Sequence, residues 1–499
     1  MKITLHQGDV LTCLQTLPDN SVHCAVTSPP YWGLRDYGLP PVIWGGDPAC
    51  PHEWGDWKFN GNHQKHFAGA FCRLCGAWRG SFGLEPTPEL YLEHAVLIFR
   101  EVRRVLRPDG TLWLNMGDSY CGSGGAGGDY NDGGLKAGQP KFPGRTSKGI
   151  RGGSPKHAAG IWDGSYCEDH LNRYPLPNLK VKDLVGMPWR LALALQADGA
   201  ADPKAMQIID RIRTALLQDY EYWEEVPAMV RREVERLDQE YAAAKEGSWW
   251  LRRDIIWAKP NPMPESCQDR PTTAHEYIFL LTKRAHYFYD AEAVKEISSP
   301  NSHGSPKTNP GWKQAALGKW TKEDSLNGRN LRSVWTIATA PFPEAHFATF
   351  PPALPEKCIR AGTSEKGVCP QCGAPWVRVV EKEIRRHEKW YGEYATATQH
   401  SRGTAGNAYN EIVSSQTTGW HPVCQCDAGE PVPATVLDPF AGAGTTALVA
   451  AKLQRHAVAI ELNPAYVAMG VQRLQRGLGM LAEVEVFSLT DHRELTTGN

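Results

Sequence analysis

The stretch Thr435-Val-Leu-Asp-Pro-Phe-Ala-Gly-Ala-Gly-Thr-Thr446, followed ten residues later by His456-Ala-Val-Ala-Ile-Glu461, decides the fold. A short apolar run ends in a glycine-rich turn, a helix is expected from Thr445 to Leu453, and a second apolar run ends on an acid. Asn463-Pro464 then supplies a capping side chain and an N1 proline for another helix. Strand, turn, helix, strand, helix is the signature of a parallel α/β sheet. Gly442 and Gly444 let backbone approach a ligand, and the helix that follows offers unpaired N–H groups to a carboxylate. Glu461 is placed to accept hydrogen bonds from ribose hydroxyls. By itself this pattern suits a nicotinamide cofactor, or a mere tight turn, equally well.

At the other end of the chain, Val22 to Thr27 reads as a strand stopped by Ser28-Pro29-Pro30. Leu92, Val96, Phe99, Val102 and Val105 have helical spacing, Arg107-Pro-Asp-Gly110 reads as a turn, and Thr111 to Met116 as a strand. Strands are also expected at Trp249 to Trp257 and His275 to Leu281. His275-Glu276 invites reading as an acid/base pair, but ending a strand and anchoring a loop is the better explanation.

Thr27-Ser-Pro-Pro-Tyr-Trp32 carries the chemistry. Two prolines stiffen the backbone and remove its donors, leaving the Ser28 hydroxyl and the Pro29 carbonyl as acceptors, with Pro30 fixing the turn. An exocyclic aromatic amine is a poor nucleophile because its lone pair is conjugated with the ring. Two acceptors gripping its N–H bonds draw it toward tetrahedral geometry, and Tyr31 offers a face on which a flipped-out base can stack.

In this order the motifs resemble the amino-methylating DNA methyltransferases of the permuted (beta) type, in which Ser/Asp/Asn-Pro-Pro-aromatic precedes Phe-x-Gly-x-Gly, as Ser28 precedes Phe440. Gly8-Asp9 resembles the segment whose Asp binds the cofactor adenine. Arg107-Pro-Asp-Gly-Thr-Leu-Trp-Leu-Asn115 resembles the central turn and strand. Trp257-Ala-Lys-Pro-Asn-Pro-Met-Pro-Glu-Ser266 also matches, and His346-Phe-Ala-Thr-Phe-Pro351 through Cys358-Ile-Arg-Ala-Gly362 resembles the segment against the methionine part of the cofactor.

The resemblance implies a doubly wound, mostly parallel Rossmann-like α/β fold. It implies S-adenosylmethionine held by Asp9, Asp438, Phe440, Gly442, Gly444, Thr445 and Glu461. Double-stranded DNA is the implied substrate and a cognate restriction nuclease a candidate partner. Ser before Pro-Pro resembles the cytosine-N4 enzymes, whereas Asp or Asn is usual for adenine-N6, which stays the alternative, as do RNA as substrate and an inactive zinc-containing DNA-binding protein. A C5-cytosine enzyme needs a Cys after a proline, and the chain has no Pro-Cys pair.

Thirteen cysteines, several in short pairs, favour metal ligation over disulfides in a reducing compartment. Cys50, His52, Cys72 and Cys75 form one expected structural zinc site, and Cys369, Cys372, Cys424 and Cys426 a second. Each has four protein ligands and no place for a catalytic water. Cys13, Cys24, Cys121, Cys167, Cys267 and Cys358 lack such spacing and read as ordinary small side chains.

The expected core is residues 1–120, 249–290, 340–365 and 430–490, with zinc-binding insertions at 45–80 and 366–428. Residues 121–165 form a glycine-rich mobile loop in this reading, 200–247 a helical insertion through Ile208, Ile212, Leu216, Tyr220 and Trp223, and 291–330 a variable segment for target recognition. The run 381–389 is expected to be a short helix or a hairpin arm.

Net charge is −1, so attraction to a polyanion has to be local. Residues 133–160 carry Lys136, Lys141, Arg145, Lys148, Arg151 and Lys156 without one acid, in keeping with phosphate contact and equally with a solvated loop. The start of the chain shows no basic run leading into an apolar stretch, and no segment has the roughly 18 apolar residues of a membrane span, so a cytoplasmic protein is expected.

Overall fold

The structure is a computed structural model describing residues 1–33, 41–54, 70–121, 179–180, 182–198, 247–262, 264–265, 269–296, 329–340, 350–387, 409–427, 429–479 and 483–488. The cationic stretch 133–160 lies outside these residues, as do nearly all of the expected helical insertion 200–247 and most of the variable segment 291–330. In chain order the strands are β1 (Lys2–Gln7), β2 (Val22–Thr27), β3 (Val42–Trp44), β4 (Ala70–Phe71), β5 (Trp78–Gly80), β6 (Leu106–Met116), β7 (Trp250–Ala258), β8 (His275–Thr282), β9 (Val334–Thr336), β10 (Trp376–His387), β11 (Tyr409–Pro422), β12 (Thr435–Asp438), β13 (His456–Glu461) and β14 (Glu483–Ser488).

Nine of them form one sheet, in the order β14-β1-β13-β12-β2-β6-β8-β7-β9. Every neighbouring pair is parallel except the two made by β8, which runs against β6 and β7. The first strand lies between two of the last: Leu5 pairs with Ala459 on one side and with Val486 on the other. Beside them Val436 pairs with Cys24 and Leu437 with Ala25. The two ends of the chain therefore build a single sheet.

Side chains that alternate along a strand feed two separate cores. Ala25, Leu112, Leu114 and Leu437 face the helices Val10–Gln15, Pro88–Val105 and Met187–Ala197. Cys24, Val26, Trp113 and Val436 face the helices Ala353–Gly362, Thr445–Lys452 and Pro464–Leu478. With both faces covered, the strands read as nearly continuous apolar runs. This is a doubly wound Rossmann-like α/β fold. Cys13, Cys24, Cys121 and Cys358 are buried in it as small side chains. Among the described residues, no helix is long and apolar enough to cross a membrane.

Two elements differ from, or sharpen, the sequence reading. Arg107-Pro-Asp-Gly110 does not interrupt β6: the register steps from Val22 opposite Leu106 to Cys24 opposite Thr111, so the turn residues form a bulge within a continuous strand. The run at 381–387 is a hairpin arm, β10 pairing antiparallel with β11 from Trp376 opposite Pro422 to His387 opposite Tyr409.

Candidate active site

Parallel strands bring their carboxyl ends to one edge, where doubly wound sheets bind ligands. Here that edge carries Gly8-Asp9 after β1, Glu461 at the end of β13, Asp438 and the glycine-rich turn after β12, Ser28 to Tyr31 after β2, and Asn115 near the end of β6. Because β8 is reversed, its first residues, His275 and Glu276, reach the same edge, and Lys259 follows the end of β7 there.

Ser28, Tyr31, Asn115, Glu276 and Lys259 form one connected cluster. The Ser28 hydroxyl donates to Tyr31 Oη (3.2 Å), which donates to Glu276 Oε2 (2.9 Å). Asn115 Nδ2 lies 2.9 Å from Glu276 Oε2, 3.1 Å from Tyr31 Oη and 3.4 Å from Ser28 Oγ. Lys259 Nζ pairs with Glu276 Oε1 and sits 4.6 Å from the Trp257 ring centroid. Burial, then the Glu276 charge, hold the Tyr31 phenol well above its ordinary range, so it remains a donor at neutral pH. Pro29 is buried, and among the described residues no donor is bonded to its carbonyl. The Pro30 carbonyl accepts from Tyr91 Oη at 2.9 Å, anchoring the loop on the helix Pro88–Val105.

Asp438 joins this loop to the glycine-rich turn. Its Oδ1 accepts from Thr27 Oγ1 (2.7 Å) and the Phe440 amide (3.1 Å), and its Oδ2 from Thr446 Oγ1 (2.7 Å). Burial pushes the carboxyl up to about 6. The carboxylate is thus turned inward, and what it does is position the two loops. Glu461 grips the turn from the other side, accepting from the Gly442 amide (2.8 Å) and the Asn463 amide (2.8 Å).

Gly442 (φ +50°) and Gly444 (φ +72°) are left-handed, and nothing lies within 4 Å of where a Gly442 Cβ would stand. Gly444 leaves the helix Thr445–Lys452 without a side-chain cap, so its first N–H groups have no such partner. Thr445 is buried, its hydroxyl accepting from Arg473 Nη1 at 2.7 Å. Asp9 caps the helix Val10–Gln15 through the Thr12 amide (3.1 Å), and the Phe440 ring stacks on Phe82 at 5.7 Å.

A profile of the family described as DNA methylase matches residues 22–370 and 429–472, spanning both the Ser-Pro-Pro-Tyr loop and the glycine-rich turn. The chain belongs to the DNA methylase family. It is 30% identical over 472 residues to the Type II methyltransferase M.Cfr9I of Citrobacter freundii, covering 95% of this chain and 87% of that one. Identity is 31% to M.XycI of Xanthomonas campestris pv. cyanopsidis, with the same coverage. To M.SmaI of Serratia marcescens it is 30%, covering 94% and 89%. As a DNA methylase of the N4/N6 amino-methylating group, it uses S-adenosylmethionine as methyl donor.

Both cysteine clusters of this DNA methylase assemble as the sequence predicts: within each, the four ligand atoms lie within 4.8 Å of one another. They sit at opposite edges of the sheet. The first is carried by the small sheet β3-β5-β4, beside the Ser-Pro-Pro-Tyr loop, where Trp32 Nε1 donates to the Glu85 carbonyl (2.9 Å) and the Gly33 amide to the Gly83 carbonyl (2.8 Å). The second docks where β2 and β6 begin: Arg107 Nη1 donates to the Cys372 carbonyl (2.6 Å), and His23 Nε2 lies 3.1 Å from the Gly373 carbonyl.

Sequence reasoning missed Glu276, Asn115 and Lys259 as members of the site. The sequence reads Glu276 as the end of a strand. It lies near the beginning of one, and the available signal was a lone acid opening the apolar run Tyr277 to Leu281. The Gly117 backbone packs on Tyr31, since a Cβ there would stand 2.8 Å from Tyr31 Cε2. Gly117→Ala is expected to displace the phenol and lower turnover at least tenfold while cofactor affinity stays within twofold, as steady-state kinetics and calorimetric titration with S-adenosylhomocysteine would show.

Proposed function

We propose that this DNA methylase transfers a methyl group to the exocyclic N4 of cytosine in double-stranded DNA. The observation that carries the reading is the pairing of β2 with β12, which sets Ser28 and Pro29 beside the glycine-rich turn. S-adenosylmethionine, when bound, supplies an electrophilic methyl group. The open space at Gly442 and the uncapped helix after Gly444 fit a ligand carrying a carboxylate, and Glu461 fits its ribose. Asp9 stands nearby for the adenine, with Phe440 and Thr445 shaping the turn.

The flipped base stacks on Tyr31, and its amine gives its N–H bonds to Ser28 Oγ and the Pro29 carbonyl, which frees the nitrogen lone pair for in-line attack. No covalent enzyme intermediate is required, and most of the acceleration comes from holding the reactants in line and excluding water. Serine in place of Asp or Asn favours cytosine. Relatives named as Type II methyltransferases favour site-specific methylation within a restriction-modification system.

Nucleoside mass spectrometry of DNA treated with the protein and labelled cofactor is expected to show N4-methylcytosine. N6-methyladenine would transfer the mechanism to the other base. Ser28→Ala should reduce turnover about a hundredfold or more with cofactor affinity retained, and unchanged turnover would overturn the role of Ser28.

We further propose that each cysteine cluster holds one structural zinc ion. Zn–S bonds of about 2.3 Å in a tetrahedron imply ligand–ligand edges of about 3.8 Å. Cys50 Sγ and Cys72 Sγ are 3.8 Å apart, and Cys75 Sγ and His52 Nδ1 3.4 Å. Elemental analysis is expected to find two zinc ions per chain, falling to one in Cys369→Ser. A value clearly below one in the unaltered protein would refute both sites.

A further inference from the structure

Ser28 can serve as an acceptor for the amine only if its own proton points elsewhere. The cluster fixes where. Glu276 is paired with Lys259 through one oxygen and takes the Tyr31 and Asn115 donors on the other. A carboxylate offers lone pairs alone, so Tyr31 must donate to it, and the phenol oxygen is then left to receive the Ser28 hydroxyl proton. The hydrogen-bond chain therefore has one direction, from Ser28 through Tyr31 to Glu276. Its consequence at the open end is a Ser28 oxygen with a lone pair free for a donor.

Resting on the reading of Ser28 and Tyr31 under Proposed function, we infer that Glu276, held by Lys259, is the positioning residue that makes Ser28 an acceptor and the terminus that receives the proton the amine must lose. As the N–C bond forms and the S–C bond breaks, the sulfur keeps the electron pair and the nitrogen is left with one proton too many. That proton passes to Ser28 Oγ, the Ser28 hydroxyl proton to Tyr31 Oη, and the Tyr31 proton to Glu276 Oε2, which ends as a neutral carboxylic acid. Product release lets water reclaim the proton. Each relay atom gains one proton and gives one up, and no other reactant is needed.

Glu276→Gln keeps the shape and removes the charge. Its amide can point a donor at Tyr31, which reverses the chain. The single-turnover methylation rate is expected to fall about a hundredfold, in the range of other proton-transfer groups, with S-adenosylhomocysteine and DNA dissociation constants within about twofold of the unaltered protein. In a Tyr31→Phe background the same substitution should cost less than about threefold more, because the chain is already cut. An independent readout is the titration of Tyr31 itself, followed by NMR of ring-labelled tyrosine and assigned by the resonance missing in Tyr31→Phe. It should move down in pH when the Glu276 charge is removed.

If Ser28→Ala abolishes methylation while Glu276→Gln methylates at the unaltered rate, or if the losses from Tyr31→Phe and Glu276→Gln simply multiply, the inference is overturned and the Ser28 mechanism stands. Full activity in Ser28→Ala would instead bring down the mechanism itself. Should Glu276→Gln fail to fold, Lys259→Met with the same three readouts decides the matter.

Discussion

The active edge is organised by a buried carboxylate. Asp438, at the end of β12, accepts hydrogen bonds from the side chains of Thr27 and Thr446 and from the Phe440 amide. An ionised carboxylate without such partners would be too costly to bury, and the carboxyl remains perturbed, pushed up to about 6. What the three bonds secure is relative placement. The turn built by Gly442 and Gly444 and the loop built by Ser28, Pro29 and Pro30 come from segments four hundred residues apart, and the Thr27–Asp438 contact fixes one against the other. A methyl-transfer site needs that constraint, because reacting atoms displaced by an ångström react far more slowly.

The reversal of β8 matters almost as much. Were it parallel to β6, His275 and Glu276 would lie at the far edge of the sheet. Antiparallel, it delivers a carboxylate to Tyr31 and Asn115, and β7, running back alongside, delivers Lys259 to the same place. The polar cluster is thus assembled from four strand ends, each fixed by apolar packing on both faces of the sheet. The second cysteine cluster, by contrast, braces the edge where β2 and β6 begin, through Arg107 and His23. Its cysteines bracket the hairpin β10–β11, Cys369 and Cys372 before the first strand and Cys424 and Cys426 after the second.

Much of this was legible in the sequence, and for physical reasons. Val22 to Thr27, Thr435 to Asp438 and His456 to Glu461 are apolar runs punctuated by proline, glycine or an acid, and such punctuation reports where strands stop. Cysteine pairs announce their own clustering, and the four side chains of each set do come together. The bulge at Arg107 to Gly110 was hidden because a proline-glycine turn and a bulged strand draw on the same residues, and only the neighbouring strand tells them apart. Glu276 was hidden for a different reason. Its partners Tyr31 and Lys259 are brought to it by strand order and direction, neither of which a single sequence encodes locally. Asp438 sits in the cofactor motif, and its hydrogen bond to Thr27 is likewise hidden, because it joins residues far apart in the chain.

The most direct test is an experimental structure of the protein with S-adenosylhomocysteine bound. The expected result places the cofactor against the Gly442–Gly444 turn, its ribose at Glu461 and its sulfur directed toward Ser28. A cofactor seated elsewhere, or a Pro29 loop separated from Phe440, would contradict the joining of the two chain ends on which the whole site depends.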